Sequence, residues 1–343
     1  MKRILSTIVI IVFAAGGFFA YRYYERVFAP NVKVAAGEAY FFIPTGADFE
    51  IVMDSLQSND YLKNEKAFRW LAQKKNYLNL VKPGRYLITD KMSNNSLVDR
   101  LRAGDQAPLD LVIHEVNNLP ELAGRLGQTL EQDSLSFLHF LRDDDTLRHY
   151  DCNSRSALAY FMPNTYQFYW NSSPGYTLKK MKEEFDKFWT AERIASAEAQ
   201  GLSPLEVVTL ASIVERETVQ RDEMPVVAGL YINRLNRGIL LQSDPTAVFG
   251  YLLDYPEAHP ITRVYYKHIR YPSAYNTYQN AGLPPGPIKA PSRAAIEAVL
   301  HPDDNDYIFM MADAKRPGYH KFAKTNAQHD RNRRAYHRYL NGR

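Results

Sequence analysis

The chain has 343 residues, of which 45% are hydrophobic and 23% charged, and its formal net charge is +4. That balance excludes a largely disordered chain and leaves room for two modest domains, and the mild charge argues against a nucleic-acid partner. A lone cysteine, Cys152, excludes an internal disulfide and a cysteine metal cage, and the nine histidines form no HExxH pair, so no metal and no cofactor is expected.

Lys2 and Arg3 precede an uncharged run from Ile4 to Tyr21. As a helix this run measures about 27 Å, enough to cross a hydrocarbon core of roughly 30 Å. A cleaved signal peptide shares the basic start. Against cleavage, the run exceeds a usual signal core, no clean small-x-small site follows, and Tyr21, Tyr23 and Tyr24 form an aromatic anchor at its far end. The expectation is a retained single transmembrane helix over residues 1–24, cytoplasmic stub included, in the inner (cytoplasmic) membrane. Everything after it would lie on the periplasmic or extracytoplasmic side.

Residues 25–37, with Pro30 and Gly37, read as a tether. A small unit over 38–105 follows. It has a strand at Tyr40–Ile43, a turn at Pro44-Thr45-Gly46, a helix capped by Asp48, and a second helix near Glu65–Lys74. "VKPGRYLIT" then gives a Pro-Gly turn into a strand, and "SNNSLVDRLRAGD" a helix ending at Gly104. This succession resembles a LysM-like module, a small glycan-binding unit.

A larger α+β domain is expected over 106–343. "LDLVIHEV" reads as a strand, Glu121–Leu141 and Lys179–Ala199 as helices, and "AYFMPNTYQFYW" as a Pro-broken aromatic loop. From Leu202 the signals sharpen. "SPLE" carries Ser at the cap, Pro at the first helical position and Glu at the third, a capping box that opens a helix to about Thr218. Another helix starts near Met224, and Asp244 before Pro245 reads as a cap that starts a third. "GLPPGPI" is a stiff loop, "PSRAAIEAVL" a helix, "DYIFMMAD" and "GYHKFAK" a hairpin, and a basic helix closes the chain.

The helix from Ser203 contains "LASIVERET". Leu210, Ile213, Val214 and Glu217 share one face, spaced i, i+3, i+4, i+7, while Arg216 and Thr209 mark the solvent side. Glu215 lies about 160° from Glu217, so the two glutamates do not face one another as a pair. A carboxyl on an apolar face keeps its proton toward neutral pH, the property of a general acid. The competing reading is a helix-end glutamate paired with Arg216 or Arg221.

"LASIVERET", "GLYINRL", "LQSDPTAVFGY", "AYNTYQNAGLPPGPI", "PSRAAIEAVLHP" and "HKFAKTNAQHD", in this order, resemble the endolytic murein transglycosylase (YceG-like) family. The resemblance is strong over 203–334 and weaker over the small unit and the anchor. It implies that Glu217, followed by Thr218, is the catalytic residue. It also implies a substrate cleft with Gln242, Ser243, Asn276, Tyr278 and Pro284 of the Leu283–Gly286 loop, and a late motif with His320 and Thr325. Two departures stand out: Leu158-Ala159 and Asn164 replace the family's Glu-Gly pair and Asp, and His329-Asp330 replaces its His-Asn. Asn164 and Tyr166 are therefore not counted in the expected site.

The implied reaction cleaves between N-acetylmuramic acid and N-acetylglucosamine without water. Glu217 would protonate the leaving oxygen and then deprotonate the C6 hydroxyl that closes a 1,6-anhydro ring, an internal nucleophile with a large effective concentration. Gln242 and Asn276 would bind N-acetyl groups or stabilise the cationic sugar, with ordinary loop hydrogen bonding as the competing reading. Tyr275 and Tyr278 stack on sugars or pack the loop, and His320 reads more readily as structural. A muramidase-type hydrolase would need Asp244 as a second carboxylate, a residue that reads better as a cap. A wall-binding scaffold would need no Glu217. The expected partners are peptidoglycan strands, the membrane and the synthases that extend the strands.

Overall fold

The computed structural model describes residues 2–341; Met1 and residues 342–343, the outer ends of the expected anchor and catalytic domain, lie outside the described residues. The chain is α+β, and it packs as two units. The first runs to Leu111 and takes in Thr129–Glu131 and Gln167–Ser172; the second comprises Val112–Gln128, Gln132–Tyr166 and the chain from Ser173 onward. Strands pair as two-stranded ribbons, β1–β2, β3–β4 and β5–β6, whose ranges follow.

The first unit holds α1 (Lys2–Val27), β1 (Glu38–Ile43), α2 (Phe49–Ser58), α3 (Glu65–Lys74), β2 (Gly84–Thr89) and α4 (Asn94–Ala103). Local chemistry sets these ends. Asp48, Asn64 and Ser93 each accept a backbone N–H three residues on, and Gly104 closes α4 in the left-handed conformation with φ 75°. β1 and β2 run antiparallel, pairing Phe41 with Tyr86 and Ile43 with Gly84. Alternation turns Phe41, Ile43, Tyr86 and Ile88 inward, onto Phe49, Leu56, Phe68 and Leu97.

Ile4–Val27 is long and apolar enough to cross a membrane by length and composition, and Phe13 on it is 77% exposed. The last turn of α1 enters the module. Val27 is 2% exposed, the Tyr23 ring meets Trp70 edge-on at 6.1 Å, and Asn94 Nδ2 donates to the Arg26 carbonyl at 2.8 Å. The stretch 25–37, expected as a tether, is packed in part, with residues 35–37 exposed. Val32 and Val34 are buried, and Asn31 is clasped by Asn64 and Asn94, because a buried amide must find partners for all its polar atoms.

The rest of the chain adds β3 (Leu109–Ile113), α5 (Leu119–Thr129), α6 (Ser134–Arg142), α7 (Asp144–Leu147), β4 (Asn164–Phe168), α8 (Pro174–Phe188) and α9 (Ala191–Ala199). The two long helices expected here are each broken in two. Asp133 caps α6 and Thr190 caps α9, so a fresh N-terminus starts where a single helix was expected. The aromatic loop contains β4, in which Tyr166 and Phe168 are buried while Thr165 and Gln167 are exposed.

Then come α10 (Pro204–Glu217), α11 (Met224–Asn236), α12 (Asp244–Asp254), α13 (Tyr266–Ile269), α14 (Arg293–Leu300), β5 (Phe309–Ala312), β6 (His320–Ala323) and the basic α15 (Asn326–Asn341). α10 is the hub of its unit, packed against α11 and α14. Every residue from Val207 to Val214 is buried, so it has no solvent face there. Thr209, expected on that face, is 5% exposed and returns its hydroxyl to the Leu205 carbonyl at 2.8 Å.

The Pro-rich loop after Gly282 lies close against the chain at Arg155. A Cβ added at Gly286 would collide with the Arg155 carbonyl, a backbone atom that cannot swing aside. Gly286→Ala is expected to lower the melting temperature of the full-length chain by about 2 °C or more, corresponding to a loss above about 1 kcal/mol. Thermal unfolding followed by circular dichroism checks this, and an unchanged midpoint would mean the loop relaxes freely.

Candidate functional site

Glu217 is the last residue of α10, and Thr218 behind it is extended and buried. Two hydroxyls donate to the same carboxyl oxygen. Tyr231 on α11 reaches Oε1 at 2.7 Å and Ser243, just before α12, reaches Oε1 at 2.5 Å. Both donors fall on Oε1, which leaves Oε2 as the oxygen that carries the proton of the neutral acid.

Burial pushes the Glu217 carboxyl above the usual carboxylate range, the Ser243 and Tyr231 bonds pull it part of the way back, and the nearby Asp244 charge pushes it up again. The residue keeps some exposure to the cleft while its carboxyl is enclosed by protein, so a ligand can reach a group that bulk water barely solvates. Tyr231 is 1% exposed, and burial next to that carboxyl holds its phenol far above the usual tyrosine range, as a neutral donor.

Two grooves meet at this point. One, of about 690 Å³, is lined mainly by apolar side chains of α12 and the following loop, among them Val248, Phe249, Leu252 and Ile261, with Asn117, Glu121 and Arg216 at its polar edge. The other, of about 420 Å³, carries Arg234, Gln242, Tyr278, His320 and the β5 strand. Glu217 and Asp244 are the two residues that line both.

The Gln242-Ser243 turn is built, not incidental. Arg234 is 7% exposed and donates to the Ile308, Leu240 and Leu241 carbonyls at 2.7, 2.9 and 2.7 Å, which fixes the chain just before Gln242. Gln242 holds a left-handed φ of 51°, an unfavourable conformation for a residue with a Cβ, and its amide bonds the Thr277 carbonyl. The Ser243 amide donates to Thr277 Oγ1 at 3.0 Å, and Thr246 joins the same hydroxyl at 2.7 Å. Within "YNTY" it is therefore Thr277 that supports the serine beside Glu217.

The other expected site residues fall in different places. Asn276 is fully buried, donates to the Ile269 and Tyr271 carbonyls at 2.8 Å each, and accepts from the Tyr278 amide. It holds its own loop and lines neither groove. Pro284 is likewise buried in the loop, away from both grooves. Tyr278 does face the polar groove, and its hydroxyl donates to Asp244 Oδ1 at 2.7 Å. His320 lines the same groove, with Nδ1 2.8 Å from Glu223 Oε2 and its amide donating to Glu223 Oε1 at 2.6 Å. The carboxylate makes Nδ1 the protonated nitrogen and leaves Nε2 for a ligand.

Glu215 points elsewhere. Its Oε2 takes the nearly buried Lys289 Nζ at 3.1 Å and the Ser292 amide at 3.1 Å, while Ser212 Oγ accepts the Ile288 amide. α10 thus grips the segment after the Pro-rich loop with one glutamate and presents the other to the cleft. Arg216 donates to Asn117 and does not pair with Glu217, and no group of three His, Cys, Asp or Glu among the described residues could hold a metal ion.

Sequence reasoning missed Tyr231, Arg234, Glu223 and Thr277, and it misread Asp244. The cap position of α12 is Ser243, with no side-chain bond, and Asp244 is the first helical residue with its side chain in the cleft. One signal was available for Tyr231, a hydroxyl placed on an otherwise apolar helix stripe.

Comparison with known proteins places this geometry in context. A family model described as "YceG-like family" matches residues 41–335. The chain is 27% identical over 336 residues to an endolytic murein transglycosylase of Bacillus subtilis (strain 168), covering 92% of this chain and 90% of the relative. It is 27% identical over 350 residues to an endolytic murein transglycosylase of Streptococcus pneumoniae serotype 2, covering 93% of this chain and 62% of that protein. A solved yceG-like protein from Listeria monocytogenes matches with a TM-score of 0.54 at 25% identity, over 87% of this chain and 99% of that one.

The raised Glu217 pKa has a consequence for stability. A folded-state value above the unfolded one means that the neutral acid's contribution is fully present below about pH 4.3 and is lost as pH rises through the folded value. Glu217→Gln keeps a neutral group of the same shape at every pH. The melting temperature of this variant, measured from pH 4 to pH 8, is expected to match the wild type at pH 4 and exceed it increasingly above pH 5. A difference that stays constant with pH would mean Glu217 is not held protonated.

Proposed function

The chain belongs to the YceG-like family, and from that premise we propose that it is an endolytic lytic transglycosylase, held at the inner membrane by its N-terminal helix, with the catalytic unit on the periplasmic side. The observation that carries this reading is the Glu217 carboxyl, enclosed by protein, bonded twice on Oε1 and aimed at the junction of two grooves.

Glu217 donates the Oε2 proton to the glycosidic oxygen between N-acetylmuramic acid and N-acetylglucosamine. The bond from C1 of the muramic acid to that oxygen breaks, and the electron pair leaves with the N-acetylglucosamine O4. The muramic acid C6 hydroxyl closes on C1 of its own ring, and its proton passes to the Glu217 carboxylate. The acid is regenerated, the product ends in 1,6-anhydro-N-acetylmuramic acid, and no water is consumed. Tyr231 and Ser243 stabilise the carboxylate during the brief interval when it is charged.

Grooves on both sides of Glu217 suit a substrate that continues past the cleavage point in both directions, as cutting within a strand requires. Gln242, Tyr278 and His320 are assigned to sugar contacts on the polar side, and Ser243 to Glu217; Asn276 and Pro284 build the loops behind them. The order strand, helix, helix, strand in residues 38–105 supports a LysM-like reading of that unit. Retention of the N-terminal helix is supported by Val27, which belongs to the core of the same unit. The partners are peptidoglycan strands and, on this reading, the synthases that extend them.

Full-length protein in detergent, incubated with uncrosslinked glycan strands and analysed by mass spectrometry, is expected to yield internal fragments with 1,6-anhydro ends. Glu217→Gln should lower the rate by at least about 10³-fold, as expected when the proton donor is removed. Reducing ends in place of anhydro ends would replace this reading with hydrolysis. Binding of strands without cleavage by either protein would leave a scaffold.

A further inference from the structure

Asp244 is the second carboxylate of the cleft, and its surroundings favour charge where those of Glu217 suppress it. It is exposed, and it opens α12, whose N-terminal amides favour an anion. Its hydrogen bond comes from a neutral phenol, not a cation, so nothing in that contact cancels its charge. Burial, together with the bond to Asp244, holds the Tyr278 phenol well above the usual tyrosine range, so it remains a donor. With Glu217, Asp244 is common to both grooves, and a sugar that spans them must pass both carboxyl groups.

We propose that Asp244 is a further catalytic residue of the reaction: a standing carboxylate that stabilises the positive charge developing on C1 and the ring oxygen of N-acetylmuramic acid. This rests on the function proposed above. Asp244 forms no bond and moves no proton. The electron pair of the breaking C1–O bond leaves with N-acetylglucosamine O4, which takes the Glu217 proton. C1, left electron-poor, faces the Asp244 charge until the C6 oxygen supplies the new bond. Tyr278 is the positioning residue, because its hydroxyl fixes one Asp244 oxygen and thereby aims the other.

The arrangement divides two opposite requirements between two carboxyls. The acid must be protonated, which burial secures, and the stabiliser must be charged, which exposure and a helix N-terminus secure. The negative charge of Asp244 also helps keep the proton on Glu217. Activity is therefore bounded on the alkaline side by ionisation of Glu217. Other titratable or charged groups face the pair. Tyr231, Arg234, Tyr278, His320 and His329 do so in the polar groove. Glu121, Arg216 and His259 do so in the apolar one. Variants assign the alkaline limb among these groups.

The test measures kcat, KM and their pH profiles on uncrosslinked glycan strands with the full-length chain, for wild type, Asp244→Asn, Asp244→Glu, Tyr278→Phe and Glu217→Gln. Asp244→Asn keeps the size of the side chain and an oxygen for Tyr278, and removes the charge. It is expected to lower kcat on the order of 10²-fold with KM within about twofold, and its products should still carry anhydro ends. Its alkaline limb should move to lower pH, because the Asp244 charge no longer helps hold the proton on Glu217. Asp244→Glu should recover part of kcat and keep the alkaline limb near its wild-type position, which separates loss of charge from loss of fold. Tyr278→Phe should lower kcat less and leave the alkaline limb in place. An Asp244→Asn enzyme with near wild-type kcat, or with an unmoved alkaline limb, would reduce Asp244 to a rim residue and overturn the proposal. Undiminished activity of Glu217→Gln would instead overturn the function beneath it.

Discussion

Glu217 sits at the end of a helix whose residues 207–214 are all buried, and the cost of an ionised carboxyl in that setting organises the unit around it. Such a group keeps its proton, and a kept proton is what a glycosidic oxygen needs from an acid. The two hydroxyls that meet it are supplied by different helices, Tyr231 by α11 and Ser243 by the turn into α12. Both bond the oxygen that faces away from the proton. The carboxyl is thus steered without being ionised, since a nearby lysine or arginine would draw the proton off.

What lies behind these two hydroxyls explains several residues that look unremarkable one by one. Ser243 is held by Thr277 and Thr246, and the chain leading to it by a buried arginine whose charge is spread over three carbonyls. The left-handed Gln242 is the strained link that this framework maintains. On the opposite side of α10, Glu215 and the nearly buried Lys289 form an ion pair that also takes the Ser292 amide. A buried pair of this kind adds little net stability, but it admits few alternatives, and so it fixes where the Pro-rich segment lies.

The first unit is organised differently. Its center is apolar and aromatic, with Phe49 stacked on Phe68 at 6.5 Å and Tyr77 edge-on to Phe49 at 5.9 Å. Three asparagines, Asn31, Asn64 and Asn94, join the end of α1 and the segment after it to α3 and α4. A helix whose last turn contributes to a folded core cannot swing freely about that module, so α1 is joined to its unit without a flexible link.

Several features of this protein are local in cause, and the sequence alone determined them. The capping box at Ser203 and Glu206, the extent of α3, the β5–β6 hairpin and the placement of Glu217 on the apolar stripe each follow from residues within a few positions of one another. Local reasoning failed where two local signals competed. Asp133 and Thr190 could each sit inside a helix or start one, and Asp244 before Pro245 could cap a helix or begin it. Tertiary structure alone decided which hydroxyls meet Glu217, because Tyr231 is 14 residues away and Ser243 is 26. It decided in the same way that Asn276 is sealed in its loop while Thr277 supports the site. Spacing along a helix reports which face a side chain occupies. Only the packing of α10 against α11, α12 and α14 reports what that face meets.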